Sequence, residues 1–296
     1  MKELQRVDVE NFYSGSNWNF EKTAKYIFEI YGNKVEAGYF EHYLDGDLVK
    51  TVIELPQSYG CPGKCQFCAS SSIDNFSILD AKILEEIFKR IYDENGLAEA
   101  PYVLLTMTGI GDIFFNYNNV KNFLISIQGY KNLYVTLSSC FWNEELLKKV
   151  NVLNEYIRIR NIQITYVTNK KDKLEKLVPF YQGRVFYLDE VFRYIEMSDE
   201  EYYRINYIMI KGVNDSKEDF DSFCDIIERI RDKVVIRIAK LNETGTTKRN
   251  GLMSTDISTL ECFQGLLHQK NISSYIFYAH KNDNMNCGQL ITEGYA

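Results

Sequence analysis

No apolar run in the 296 residues approaches the ~18 that a membrane span needs. The opening segment, MKELQRVDVE, has no apolar core of a secretion signal. Both absences point to a cytoplasmic chain. Proline is scarce, at 4 residues, and no stretch is compositionally simple, so disorder is not expected beyond residue 20. Basic residues are outnumbered, 34 Lys and Arg against 41 Asp and Glu, for a formal charge of −7. That balance argues against a protein that coats nucleic acid, although a local basic patch is compatible with it. Histidine is rarer still. His42, His268 and His280 each stand alone, so no Cys/His unit of a structural zinc site is available. A chain this long buries ~75% of its unfolded surface and needs no disulfide staples. Its 7 cysteines are an odd number, and three of them fall between positions 61 and 68. In a reducing compartment, that crowding signals metal or redox chemistry.

What is present is an alternation of strand and helix patterns. Thr23–Ile30, Lys34–Tyr43 and Leu48–Leu55 read as extended, with Asp45-Gly46-Asp47 as turn chemistry between the last two. A helix is expected from Ile78 to Asn95, capped by Ser77, with Ile83, Leu84, Ile87 and Ile91 on one face. Further strands are expected at Pro101–Thr106, Leu133–Leu137, Ile157–Val167, Tyr203–Ile210, Val234–Ile238 and Ser274–Tyr278. Helices are expected at Asn118–Gln128, Glu144–Val150 and Asp256–Gln269, at one beginning from Ser216, and as short pieces around Leu174 and Phe192. Repeated βα units imply a parallel sheet. Roughly six of them after residue 50 predict an α/β chain built as a partial (β/α)6 barrel, with its active groups at the strand C-termini. The division is then 1–49, a short β extension, and 50–296, the partial barrel with a C-terminal cysteine segment.

Cys61-Pro62-Gly63-Lys64-Cys65-Gln66-Phe67-Cys68 follows a strand directly. Spacings of four and three let one short loop wrap three thiolates around one metal unit, and Tyr59-Gly60 and Pro62-Gly63 supply the tight turns. Thiolates hold iron–sulfur clusters, normally four per cubane. With three, one iron keeps an open position. A structural zinc site, which wants four closed ligands, and free thiols are the alternatives.

This three-cysteine loop, with an aromatic before the third cysteine, resembles the signature of the radical S-adenosylmethionine (SAM) enzymes. The resemblance implies a 4Fe–4S cluster whose open iron chelates SAM, and reductive cleavage of SAM to a 5′-deoxyadenosyl radical. Four further segments narrow it. Met107-Thr108-Gly109-Ile110-Gly111-Asp112 with Asn116-Tyr117-Asn118-Asn119-Val120, Val135-Thr136-Leu137-Ser138, Ile208-Met209-Ile210-Lys211-Gly212-Val213-Asn214-Asp215, and Asn286-Cys287-Gly288-Gln289-Leu290 resemble, in order, segments of the RlmN/Cfr family. These are radical SAM methyltransferases that methylate an adenine of ribosomal RNA. The resemblance implies Cys61, Cys65 and Cys68 as cluster ligands. Gly111 and Asp112 become the pair that holds the SAM amino group, with aspartate in place of the family's glutamate, and Ser138 and Asn242 become further SAM contacts. Glu36 becomes a proton acceptor. Cys287 becomes the residue that is first methylated and then delivers that carbon to an sp2 carbon of the substrate. A flavodoxin or ferredoxin is the implied reductant.

Three departures stand out. Glu54 occupies the position of the family's second cysteine, which resolves the protein–substrate crosslink. The family's Ser-Leu-His SAM contact is not evident near Ile164-Thr165-Tyr166-Val167. The first expected strand begins at Thr23, which leaves no room ahead of it for the family's helical RNA-binding domain. Cys140, after Ser138-Ser139 at a strand end, is therefore the candidate resolving cysteine, with Glu54 or Glu36 moving the proton, while Cys224 and Cys262 read as packing. The expected substrate is an RNA adenine or a small molecule or peptide. A non-methylating radical SAM reaction and a non-catalytic zinc-binding module are the competing readings.

Overall fold

The computed structural model describes residues 1–9, 12–13, 18–184, 188–200, 202–278, 286 and 288–290. Its strands are β1 (Lys2–Val9), β2 (Phe12–Tyr13), β3 (Trp18–Ile30), β4 (Asn33–Leu44), β5 (Asp47–Glu54), β6 (Ser58–Tyr59), β7 (Ser77–Ile78), β8 (Val103–Met107), β9 (Leu133–Ser139), β10 (Ile159–Tyr166), β11 (Tyr203–Met209), β12 (Val234–Lys240) and β13 (Ser274–Phe277). The helices are α1 (Ala81–Glu94), α2 (Ile113–Ser126), α3 (Glu144–Leu153), α4 (Lys171–Leu177), α5 (Leu188–Met197), α6 (Lys217–Ile227), α7 (Gly245–Arg249) and α8 (Ile257–Gln269).

One sheet runs through the molecule in the order β1-β3-β4-β5-β8-β9-β10-β11-β12-β13. It is antiparallel from β1 to β5 and parallel from β5 onward. The parallel strands bury Val103, Leu105, Val135, Leu137, Ile205 and Tyr207 against the helices on the outer face. Their other face looks into the barrel interior. This is the expected partial barrel with an N-terminal β extension. Two-residue turns close the β3–β4 and β4–β5 hairpins. Asp45 (φ 53) and Gly46 (φ 90) are both left-handed, the geometry that matches strand twist and that a glycine at the second position supplies without strain.

Two local expectations need correction. The first strand lies well ahead of the expected Thr23: Lys2–Val9 is an edge strand paired antiparallel to β3, and its charges suit an edge. The cap of α1 is Asp80, whose side chain accepts from the Ile83 N–H at 2.9 Å. Ser77 sits instead in the short strand β7, paired with Tyr59 beside the cysteine loop. Ser216 does cap α6, through a capping box with Asp219. Among the described residues, no helix is long and apolar enough to cross a membrane.

Candidate active site

The loop after β5 is folded by its own turns. Lys64 takes a left-handed conformation (φ 49), and its ammonium donates to the carbonyls of Ser71 (3.0 Å) and Ile73 (2.7 Å). The Cys68 N–H donates to the Cys65 carbonyl at 3.1 Å, and the Gln66 N–H donates to the Leu177 carbonyl at 2.8 Å. A cluster of aromatic rings seats the loop. Phe141 lies 4.7 Å from Phe180 and 5.2 Å from Phe115, and a side chain at Gly63 would run into Phe141. Cys61, Cys65 and Cys68 thereby line one cavity of about 140 Å³ at the C-terminal ends of the parallel strands.

The same cavity brings together Glu36, Glu54, Gly111, Asp112, Ser138, Cys140 and Asn242, every expected site residue except Cys287. Cys287 lies outside the described residues, as do Lys281–Met285 before it. Its two neighbours are placed. The Gly288 carbonyl accepts from the Ala69 N–H at 2.8 Å, one residue past Cys68. Asn286 is buried, and its side chain donates to Gln289 Oε1 at 2.8 Å, while Gln289 Nε2 reaches the Glu243 carbonyl at 3.0 Å. Asn286 is thus pinned, and so is the chain just after residue 287.

Gly111 has φ +102, and a Cβ there would fall 2.2 Å from Ser58 Oγ, so only glycine carries the backbone past Ser58. Asp112 follows as the cap of α2. Its carboxylate accepts from the Phe114 N–H (2.9 Å), the Ser139 hydroxyl (2.6 Å) and the Cys140 N–H (2.9 Å). Burial pushes its pKa up to about 6, against the pull of those three donors. One carboxylate thus ties α2 to the end of β9 and still presents an edge to the cavity. The Ser138 hydroxyl accepts from Gln163 Nε2 at 3.1 Å. The Cys140 and Cys65 thiols, both free, are hydrogen-bonded, and this contact, with burial, pushes Cys65 well up.

The extension contributes a buried ion pair that the sequence did not announce. Lys25 Nζ lies 3.3 Å from Glu54 Oε1, with side chains 2% and 11% exposed. Strand register explains the contact. Lys25 pairs with Gly38 across β3–β4, and Gly38 pairs with Glu54 across β4–β5. The intervening position has no side chain, so the lysine reaches over it. The Thr108 hydroxyl donates to the other Glu54 oxygen at 2.9 Å. Removing one partner of such a pair strands a buried charge, at a cost of about 3–5 kcal/mol. Lys25 belongs to the cavity wall, and the only sequence signal was a lysine at an inward position of a strand.

The donor chemistry fits an iron–sulfur cluster. Among the described residues, no three Cys, His, Asp or Glu side chains converge on a point that would grip a single ion, as a closed zinc site requires. The three thiols instead line one cavity, and a cubane would take each thiolate on a different iron. Burial and the nearby Asp112 carboxylate push the Cys61 thiol up, so loading metal here must expel thiol protons.

No protein-family model matches the chain. Among curated proteins, a probable dual-specificity RNA methyltransferase RlmN of Streptococcus mutans is 26% identical over 293 residues, spanning 90% of this chain and 74% of that one. The corresponding protein of Pseudothermotoga lettingae is 28% identical over 256 residues, spanning 80% and 67%. Among solved structures, a radical SAM methyltransferase from Sphaerobacter thermophilus superposes with a TM-score of 0.75 at 18% identity, covering 97% of this chain and 81% of that one. SuiB of Streptococcus suis bound to S-adenosylmethionine gives 0.55 at 19% identity, covering 78% and 51%. Fold, cysteine loop and relatives together define an enzyme of the radical SAM class, and the cofactors of that class are a 4Fe–4S cluster and SAM. Within it, the chain is RlmN/Cfr-like and of the methyltransferase kind.

Proposed function

We propose that this enzyme transfers a methyl group to an sp2 carbon by way of Cys287, in the cytoplasm and with electrons from a flavodoxin or ferredoxin. One observation supports the route most. The Gly288 carbonyl is held by the Ala69 N–H at 2.8 Å, so the chain directly after Cys287 is anchored to the loop that carries Cys61, Cys65 and Cys68. Those three thiolates would hold the cluster, Gly111 and Asp112 the amino end of SAM, and Ser138 and Asn242 its remaining polar edge. Bound there, the cluster and SAM supply an activated methyl group and a hydrogen-abstracting radical. Cys287 takes the methyl group on sulfur as a thiolate. A free thiol of pKa ~8.5 is only a few per cent ionised at neutral pH, so the site must favour the anion. The carbon, after losing one hydrogen atom, bonds to the substrate, and the carbon–sulfur bond to Cys287 must then break.

Glu36 or Glu54 takes the proton released from the substrate carbon, and the unpaired electron left on the substrate by the addition would pass to the oxidised cluster. Both line the cavity, and Glu54 is held in place by Lys25 and Thr108. Cys140 serves as the resolving thiol, forming a disulfide with Cys287 as the product leaves. Its place on the cavity wall supports this. In Cys140→Ala, a covalent enzyme–substrate adduct should accumulate and be seen by intact mass. Normal turnover without an adduct would remove Cys140 from the route.

The relatives' names point to RNA as substrate, and a smaller unsaturated molecule fits this cavity as well. Product stoichiometry tests the methyl-transfer reading whatever the substrate. Each methylated product should appear with one S-adenosylhomocysteine and one 5′-deoxyadenosine. Release of 5′-deoxyadenosine alone would mean a radical reaction without methyl transfer.

A further inference from the structure

Beneath the cysteine cavity, toward the N-terminal ends of the strands, the barrel interior opens into a second cavity of about 440 Å³. The two adjoin, with Glu54, Thr108, Gln163, Arg237 and Phe277 lining both. In a chain of net charge −7, this lower space is basic. Lys50, Arg160, Arg204 and Arg237 line it, with His42 beside them. Among the described lining residues the acid is Glu54, already held by Lys25.

Strand pattern sets this column. β11 alternates strictly, with Tyr203, Ile205 and Tyr207 buried outward and Arg204 and Asn206 turned in. A register shift between Ile159 and Asn161 on β10 lets both Arg160 and Asn161 line the cavity. The Arg204 Nε is buried with no hydrogen-bond acceptor. The Arg237 guanidinium sits 3.7 Å from the centre of the Phe277 ring and donates to Asn206 Oδ1 at 3.1 Å. Burial, with Arg204, Arg237 and Arg160 nearby, pushes Lys50 down to about 8. The cations therefore crowd one another, and an anion entering among them would relieve that repulsion.

Planar walls accompany the charge. Tyr102 lines the cavity and stacks on Tyr134 with ring centres 4.5 Å apart, and Tyr275 lies under Arg204 at 5.8 Å. β5 rises ~3.3 Å per residue, so Lys50 stands about 13 Å below Glu54 along that strand. Asn286 lines the lower cavity and Gly288 the upper one.

We propose that the substrate is a small aromatic phosphate ester of mononucleotide size, bound inside the barrel. Its phosphate is held by Lys50, Arg160 and Arg204, and its unsaturated ring is directed upward past Arg237 toward the cavity lined by Cys61, Cys65 and Cys68. Guanidinium forks match phosphate oxygens in pairs, and several cations suit a dianion better than a single carboxylate. The aromatic walls suit a planar ring. An RNA duplex would instead need its basic groups on the outer surface, where the phosphates run. The proposal rests on the methyl-transfer reading only for what happens to the ring.

The test is binding, measured by calorimetry on the cluster-loaded enzyme without turnover, with adenosine 5′-monophosphate and phenyl phosphate as probes and adenosine as the uncharged control. At least one phosphate should bind, and adenosine should bind at least tenfold more weakly than its monophosphate. Arg204→Gln should weaken phosphate binding at least tenfold, and so should Arg160→Gln, whose exposed site makes misfolding a poor explanation. Iron content shows that each variant has folded. Absence of binding by either phosphate would overturn the proposal, as would binding that both variants leave unchanged. Tight binding of an RNA hairpin that survives both substitutions would overturn it in favour of RNA. A phosphate that binds as described, in an enzyme whose Cys287 is never methylated, would sink the methyl-transfer reading and leave the substrate class standing.

Discussion

Cys65→Ala should lose the cluster and with it the cleavage of SAM. Cys65 is the most buried of the three loop cysteines, at 8% exposure, and two remaining thiolates cannot hold a cubane firmly. Replacing a group behind a metal ligand typically costs about 10–100-fold in affinity or activity, and losing a ligand itself should cost more. Iron content and 5′-deoxyadenosine release are the readouts. The structure adds a control, because the Cys140 thiol touches Cys65 and is the nearest substitute ligand. Iron retained in Cys65→Ala but lost in Cys65→Ala/Cys140→Ala would identify Cys140 as that substitute. Full iron and normal 5′-deoxyadenosine release in both variants would remove the cluster assignment.

Cys287→Ala should separate the two halves of the chemistry. Product methylation should fall on the order of 10⁴–10⁶-fold, the scale seen when a covalent nucleophile is removed. Iron content and slow, uncoupled SAM cleavage should persist, because the three loop thiolates and the Asp112 region do not depend on that side chain. Equal loss of both activities would instead assign Cys287 to cofactor binding. Full methylation in the variant would leave a radical SAM enzyme with a different methyl carrier.

The cysteine loop was legible because its information is local. Three thiols within eight positions, bracketed by turn residues, need no tertiary context. The barrel was legible because outward strand positions and helix faces are apolar with different periods, as at Ile83, Leu84, Ile87 and Ile91 on α1. Gly111 and Asp112 were found through resemblance, and the structure supplies their physical reason, a close approach to Ser58 and a helix cap. What the sequence hid is carried by register. Lys25 meets Glu54 only because Gly38 lies between them on the neighbouring strands. Lys50, Arg160, Arg204 and Arg237 are spread over 188 positions and share a cavity only once β5, β10, β11 and β12 are aligned. A signal was nonetheless present. Strands of a parallel sheet are usually apolar on both faces, and Arg204 on β11 and Arg237 on β12 depart from that rule.

The most direct test of the account is the mass of the peptide that begins at Asn282, released by cleavage after Lys281, in which Cys287 is the cysteine. From enzyme produced with its cluster intact and supplied with SAM, that peptide should carry the mass of one added methylene unit, placed on Cys287 by fragmentation. The same peptide from Cys65→Ala enzyme should be unmodified. An unmodified Cys287 in enzyme that still methylates its substrate would contradict the central claim.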